Sequence, residues 1–180
     1  MTKRSLALLT ALALASTLLW QDAFAETLRV QIQQATSVSN QAESGTRIAF
    51  RVGDFTLPQG DGRQIFRAFI EWNVSGLGPE DYTEYSVSEI TEEWDPNQVS
   101  RGGSLAVSST PAAFSEIGPL DYERNQGGSL RLDVTDLVKG WIDGAQTNHG
   151  LVIDSKDVTN QAFLQRASEA TLVIRYGFLP

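Results

Sequence analysis

No cysteine occurs anywhere in the chain, and histidine occurs once, as His149. Without thiols there is no disulfide framework, so stability has to come from a packed core or a bound ion. The same scarcity excludes zinc sites built from His and Cys and leaves copper without its usual ligands. His149 is followed by Gly150 in a turn-like Asn-His-Gly, and no G-x-S-x-G elbow accompanies it. A Ser-His-Asp nucleophile therefore has no support, and His149 reads as a loop residue ahead of a strand. Lysine is also rare, at positions 3, 139 and 156, and the arginines are scattered singly. The formal net charge is −8, with a pI near 4.6. An acidic chain with no basic run offers no footprint to nucleic acid and little to anionic lipid.

No apolar run reaches the ~20 residues that span a bilayer. The longest, Leu6 to Trp20, follows Lys3 and Arg4 and leads to Ala23-Phe24-Ala25. A positive start, a short apolar stretch and a small-x-small site predict a signal peptide over residues 1–25, with the mature protein starting at Glu26. No cysteine follows the apolar stretch, so a lipoprotein anchor is not expected. Loss of Lys3, Arg4 and Asp22 leaves 12 basic and 21 acidic residues, a net charge of −9. The expectation is a protein of the bacterial periplasm or exterior, with no membrane span in the mature chain. Residues 26–180 are one domain's worth.

The mature chain is patterned for strands. Leu28, Val30 and Ile32 alternate with Arg29, Gln31 and Gln33, and Ile48, Phe50 and Val52 with Arg47, Ala49 and Arg51. Gln64 to Val74 predicts the longest strand, with Phe66, Ala68, Ile70, Trp72 and Val74 on one face. Its other face is only half polar, as for a central strand. Tyr85 to Ile90 predicts a short strand, Leu105 to Ser108 a weak one, and 162–165 and 171–176 the last two. Thr91 to Asn97 and Pro111 to Gln126 read as loops.

The stretch around which these are organised is Leu130 to Ile153. Leu130, Leu132 and Val134 form a strand; Thr135, as N-cap, opens a one-turn helix with Asp136 in its first turn. Leu137, Val138 and Trp141 form the buried side, Gly140 and Gly144 mark the exit, and Leu151 to Ile153 resumes as a strand. So short a helix cannot build a layer of its own, and it is expected to plug one end of the strands. The expected fold is all-β, a β-sandwich of jelly-roll type with one short helix in the DVTDLVKGW segment.

That segment, D-V-T-x-L-V-x-G-W followed by N-x-G-L and an apolar strand, resembles the DNRLRE domain. This family overlaps the secreted carbohydrate-binding modules first associated with alginate. Arg67 to Leu77, RAFIEWNVSGL, is similar to the family's R-A-x-L-x-F-D-L-S-x-L strand, and Glu169 to Tyr176 to its closing strand. The region Pro79 to Thr83 departs from the family's A-T-L-R-L-Y strand, the closing strand lacks its proline, and 26–62 does not align. The resemblance implies a secreted, non-catalytic module for an extracellular polysaccharide, alginate-like or neutral. The alternative is a structural or adhesion subunit of the cell surface or matrix that binds protein partners.

Candidate ligand-binding residues follow from sugar chemistry, in which an aromatic face stacks on the pyranose and polar groups hold its hydroxyls. Trp72 and Trp141 fall at core positions. Trp94, in an acidic loop where exposure is expected, and Tyr122 are the platform candidates, with Tyr82 and Tyr85 also at loops or strand ends. Arg67 and Arg101 are the candidates for an acidic sugar, which a −9 chain otherwise repels. Glu89, Glu92, Glu93 and Asp95 read as a solvated acidic loop rather than the two opposed carboxylates of a glycosidase. The only cofactor the sequence suggests is a structural calcium, held by these oxygens, by the Asp121 region or by Asp154 with Asp157.

Overall fold

The computed structural model describes residues 25–38, 46–57, 62–73, 83–117, 129–155 and 169–178. Residues 1–24, Tyr82, Asp121, Tyr122, Asp157 and the short strand expected at 162–165 lie outside them. Among the described residues there are eight strands: β1 (Ala25–Ser37), β2 (Thr46–Val52), β3 (Gln64–Asn73), β4 (Thr83–Glu89), β5 (Ala113–Ile117), β6 (Ser129–Asp133), β7 (Leu151–Ser155) and β8 (Thr171–Gly177). Two helices accompany them, α1 (Pro96–Val99) and α2 (Thr135–Ile142). None among the described residues is long and apolar enough to cross a membrane.

The class is all-β, and every strand pairing is antiparallel. The order is continuous, β5-β4-β7-β2-β1-β8-β3-β6, and the edge strands β5 and β6 approach each other. The result is a nearly closed barrel rather than two distinctly separate sheets. The continuity comes from β1. Its residues 25–31 pair with β8; from Ile32 onward, through a bulge between Ile32 and Gln34, it pairs with β2. A bulge bends a strand and sharpens its twist, which lets one strand serve both halves of the barrel.

Alternation decides what goes inside. Ile48, Phe50 and Val52 from β2, Ala68, Ile70 and Trp72 from β3, Leu151 and Ile153 from β7, and Leu172 and Ile174 from β8 are buried in one cluster. Burying a large apolar side chain contributes about 1.5 to 3 kcal/mol, so this set dominates the stability. Phe66 departs from the expected face. The β3–β8 register shifts between Ile65 and Arg67, and it is Ile65 that packs on the core.

The helix in the DVTDLVKGW segment runs eight residues, longer than the single turn expected. Leu137, Val138 and Trp141 are its buried residues, as the spacing predicts. Thr135 is the first helical residue, not the cap. Val134 holds the N-cap position, and the Thr135 hydroxyl instead accepts a hydrogen bond from the Ala68 amide at 2.9 Å. That bond fastens the helix to β3, the strand it packs on.

Two further departures lie in the loops. Asp95 accepts the Asn97 amide (2.9 Å) and, with Pro96 in the first turn, starts α1. Residues 113–117 form the edge strand β5 inside the expected loop, while the weak strand at Leu105–Ser108 is reduced to one bridge, Ile90 to Val107. The segment from Ile90 to Val107 lies over the outer side of β2 and β7, where Ala49 and Val152 pack with Ile90, Trp94 and Val99 in a second cluster.

Two buried tyrosines make stability pH-dependent. Burial raises the pKa of Tyr85 above the ordinary value. Tyr176 is raised first by the hydrogen bond its hydroxyl donates to Glu26 (2.9 Å), then by burial and the Glu26 charge, with Arg63 opposing. Between the unfolded value of about 10 and the higher folded values, the unfolded chain releases protons that the folded chain keeps. Urea midpoints should therefore stay flat up to about pH 10 and fall above it, and Tyr85→Phe with Tyr176→Phe should shrink the fall. An unchanged fall in that double variant would remove the assignment.

Candidate functional site

The four ligand-binding candidates are not brought together. Tyr122 lies outside the described residues. Trp94 is buried, with 7% of its surface exposed, which corrects the expectation that it stands free in a loop. Its indole N–H donates to the His149 carbonyl at 2.8 Å, and the Arg51 guanidinium lies over its ring and donates to the Trp94 carbonyl at 2.6 Å. Arg67 is exposed on the outer side of β3, and Arg101 is exposed in the turn after α1. Trp94 and Arg101 thus belong to the segment over β2 and β7, whereas Arg67 belongs to the β3–β8 side.

Asp154 forms an ion pair with Arg47, its partner across β2 and β7. Both side chains are only about a quarter exposed, so one guanidinium already occupies the carboxylate considered for calcium. Among the described residues, no three side chains of metal-binding type come together.

A concave site that the sequence reading did not single out lies at the end of the barrel beside α2. It is a cleft of about 320 Å³ lined by Asp54, Phe55, Thr56, Leu57, Trp141, Ile142 and Asn148. Three segments build it. The chain leaving β2 at Gly53 supplies the first wall, Asp54 to Leu57. The last turn of α2 supplies Trp141 and Ile142, and the turn into β7 supplies Asn148.

Trp141 has two duties here. It packs in the main core, tilted against Phe55 with ring centroids 6.5 Å apart, and it also forms part of the cleft wall. Its indole N–H points toward the Glu89 carboxylate at 3.4 Å, on the strand across the barrel mouth. Asn148 is held by its own turn, its side-chain oxygen accepting the Gly150 amide at 3.1 Å. Asp54 and Thr56 are exposed on the rim.

No protein-family model matches the chain, and no curated protein does. The cleft's own residues define its chemistry. Among the described residues, its lining offers aromatic and aliphatic walls, one carboxylate, one hydroxyl and one amide, and no cationic side chain. Such a set can stack against a ring and bind hydroxyl groups. The one signal that could have marked it in the sequence is Asp54-Phe55-Thr56-Leu57, whose apolar residues alternate through a stretch that reads as a turn.

Proposed function

We propose that the chain is a secreted, non-catalytic carbohydrate-binding module of DNRLRE type, spanning residues 26–180, in the bacterial periplasm or exterior. It takes its sugar in the cleft lined by Asp54 to Leu57, Trp141, Ile142 and Asn148. One observation carries this reading: a concave site with aromatic walls and a rim of Asp54, Thr56 and Asn148. Sugars are recognised through an apolar face against an aromatic wall and hydroxyls against carboxylate or amide groups. A volume near the lower end of the ~300 to 1,000 Å³ range of ligand sites suits a short stretch of glycan. The Asp54 carboxylate, with no cation among the described lining residues, favours a neutral glycan over a polyuronate.

Binding should be measured by calorimetry and pull-down against neutral glucans, mannans and alginate, with and without calcium. Asp54→Ala should weaken neutral-glycan binding by about tenfold, the scale of one hydrogen bond to a charged group. Its urea midpoint should stay put, since Asp54 is exposed. Binding that survived Asp54→Ala and Phe55→Ala but failed with Arg67→Ala would move the site to the arginine side and to an acidic sugar. A protein that retained no glycan in any arm would leave the second reading, a structural or adhesion subunit of the cell surface or matrix.

A further inference from the structure

The outer side of the β1-β8-β3-β6 half is set by register. Thr27, Arg175 and Arg67 form one row across the strands; Arg29, Val173, Phe69 and Asp133 form the next; Gln31, Thr171, Glu71 and Arg131 form a third. Among the described residues, these three rows thus hold four arginines against the two carboxylates Glu71 and Asp133, in a chain that is acidic as a whole. Glu71 serves two of them, pairing with Arg131 at 2.8 Å and Arg29 at 3.8 Å. Arg67 and Arg175 stand directly opposite each other, both exposed, and neither forms an ion pair among the described residues. Like charges directly opposite across strands are destabilising, so this pair is held without local compensation.

The opposite outer side carries the complementary charge. There the segment over β2 and β7 exposes Glu92, Glu93 and Asp95 around the buried Trp94, with Arg101 as its one exposed cation. These acids also form no ion pair among the described residues. We propose that the arginine side of one molecule docks on the Glu92–Asp95 loop of a second copy, head to tail. Because the two surfaces differ and lie on opposite sides, the contact does not close into a two-fold dimer, and it adds molecules in a row. A row of modules multiplies any weak ligand contact. The docking itself does not depend on the glycan reading.

The salt response distinguishes this contact. At about 10 mM salt the screening length is near 30 Å and two mature chains of net charge −9 repel as wholes. At about 0.1 M it falls to about 10 Å, so facing patches dominate, and at about 1 M they too are screened. Sedimentation of the mature chain should show a weight-average mass rising with concentration, at least about twofold, near 0.1 M salt and smaller at both extremes. Arg67→Glu with Arg175→Glu should be monomeric, as should Glu92→Lys with Glu93→Lys. An equimolar mixture of the two variants should associate again, because each retains one intact surface and the altered pair is complementary. Unchanged urea midpoints would show that both variants fold. A wild-type chain monomeric at every salt, association that survives either double variant, or a mixture that stays monomeric would each overturn the proposal. So would a sheet side that binds dextran sulfate while the protein never self-associates.

Discussion

Trp94→Ala should lower the unfolding free energy by about 3 to 5 kcal/mol, the range for emptying a buried aromatic site. The ring is 93% covered in the folded chain, with Ala49, Ile90, Val99 and Val152 as its cluster partners. Its loss uncovers the outer side of β2 and β7 at their centre, where Ala49 and Val152 supply too little bulk to close the gap. The His149 carbonyl also loses its donor. Trp94→Phe separates the two effects: it keeps most of the packing and should cost about 1 kcal/mol for the lost hydrogen bond, plus a small packing defect. Urea denaturation of both variants measures the difference. A Trp94→Ala protein as stable as wild type, with glycan binding abolished, would restore Trp94 as an exposed platform and empty the present account of the site.

The second large effect is expected at Gly150. Its φ of +105° lies where L-residues are rarely found. A Cβ added there would also run into the Phe50 carbonyl oxygen, on the neighbouring strand. Backbone strain and steric overlap, at about 1 to 3 kcal/mol each, add to roughly 2 to 6 kcal/mol for Gly150→Ala. The position matters because Leu151 pairs with Phe50 immediately after it, and because the Gly150 carbonyl accepts the Ile90 amide at 3.1 Å. Gly144 is the control. It too has a positive φ, +71°, but nothing stands within 4 Å of an added Cβ. Gly144→Ala should therefore cost only about 1 kcal/mol of backbone strain. Equal urea midpoints for the two variants would mean that the close approach to β2 is not real.

What the sequence made legible was local. Strands β2, β3, β4, β6 and β8 follow from period-two alternation, and Leu137, Val138 and Trp141 follow from helical spacing. The shift at Phe66 was hidden, because a bulge inverts the face of one residue without altering the pattern around it. α1 did have a signal, Asp95 before Pro96, the usual chemistry of a helix start. With only four residues, the helix has no room for the 3.6-residue periodicity that marks a longer one. β5, reading AFSEI, has little alternation, since an edge strand need bury only part of one side.

The site was harder still. Trp94 looked exposed because its neighbours in sequence are acids, but its burial is decided by Ala49 and Val152, whose own strands read as facing inward through other residues. The cleft brings together 54–57, 141–142 and 148, and only the path of the chain after β2 makes them neighbours. Arg67 gained its meaning from Arg175, a partner more than a hundred positions away that no local pattern connects to it.

The double service of β1 has a consequence for the order of events as the chain is made and moved. Ala25 pairs with Gly177, so the strand that leaves the ribosome early waits for the one that leaves late. β3 can pair with β6 beforehand, but its other edge waits for β8, which lies between it and β1. Until β8 arrives, β1 can complete only its pairing with β2, and half the barrel has no inner strand. Contacts so distant along the chain form slowly. The β1–β8–β3 half of the barrel therefore closes late, when β8 takes its place between strands made long before it.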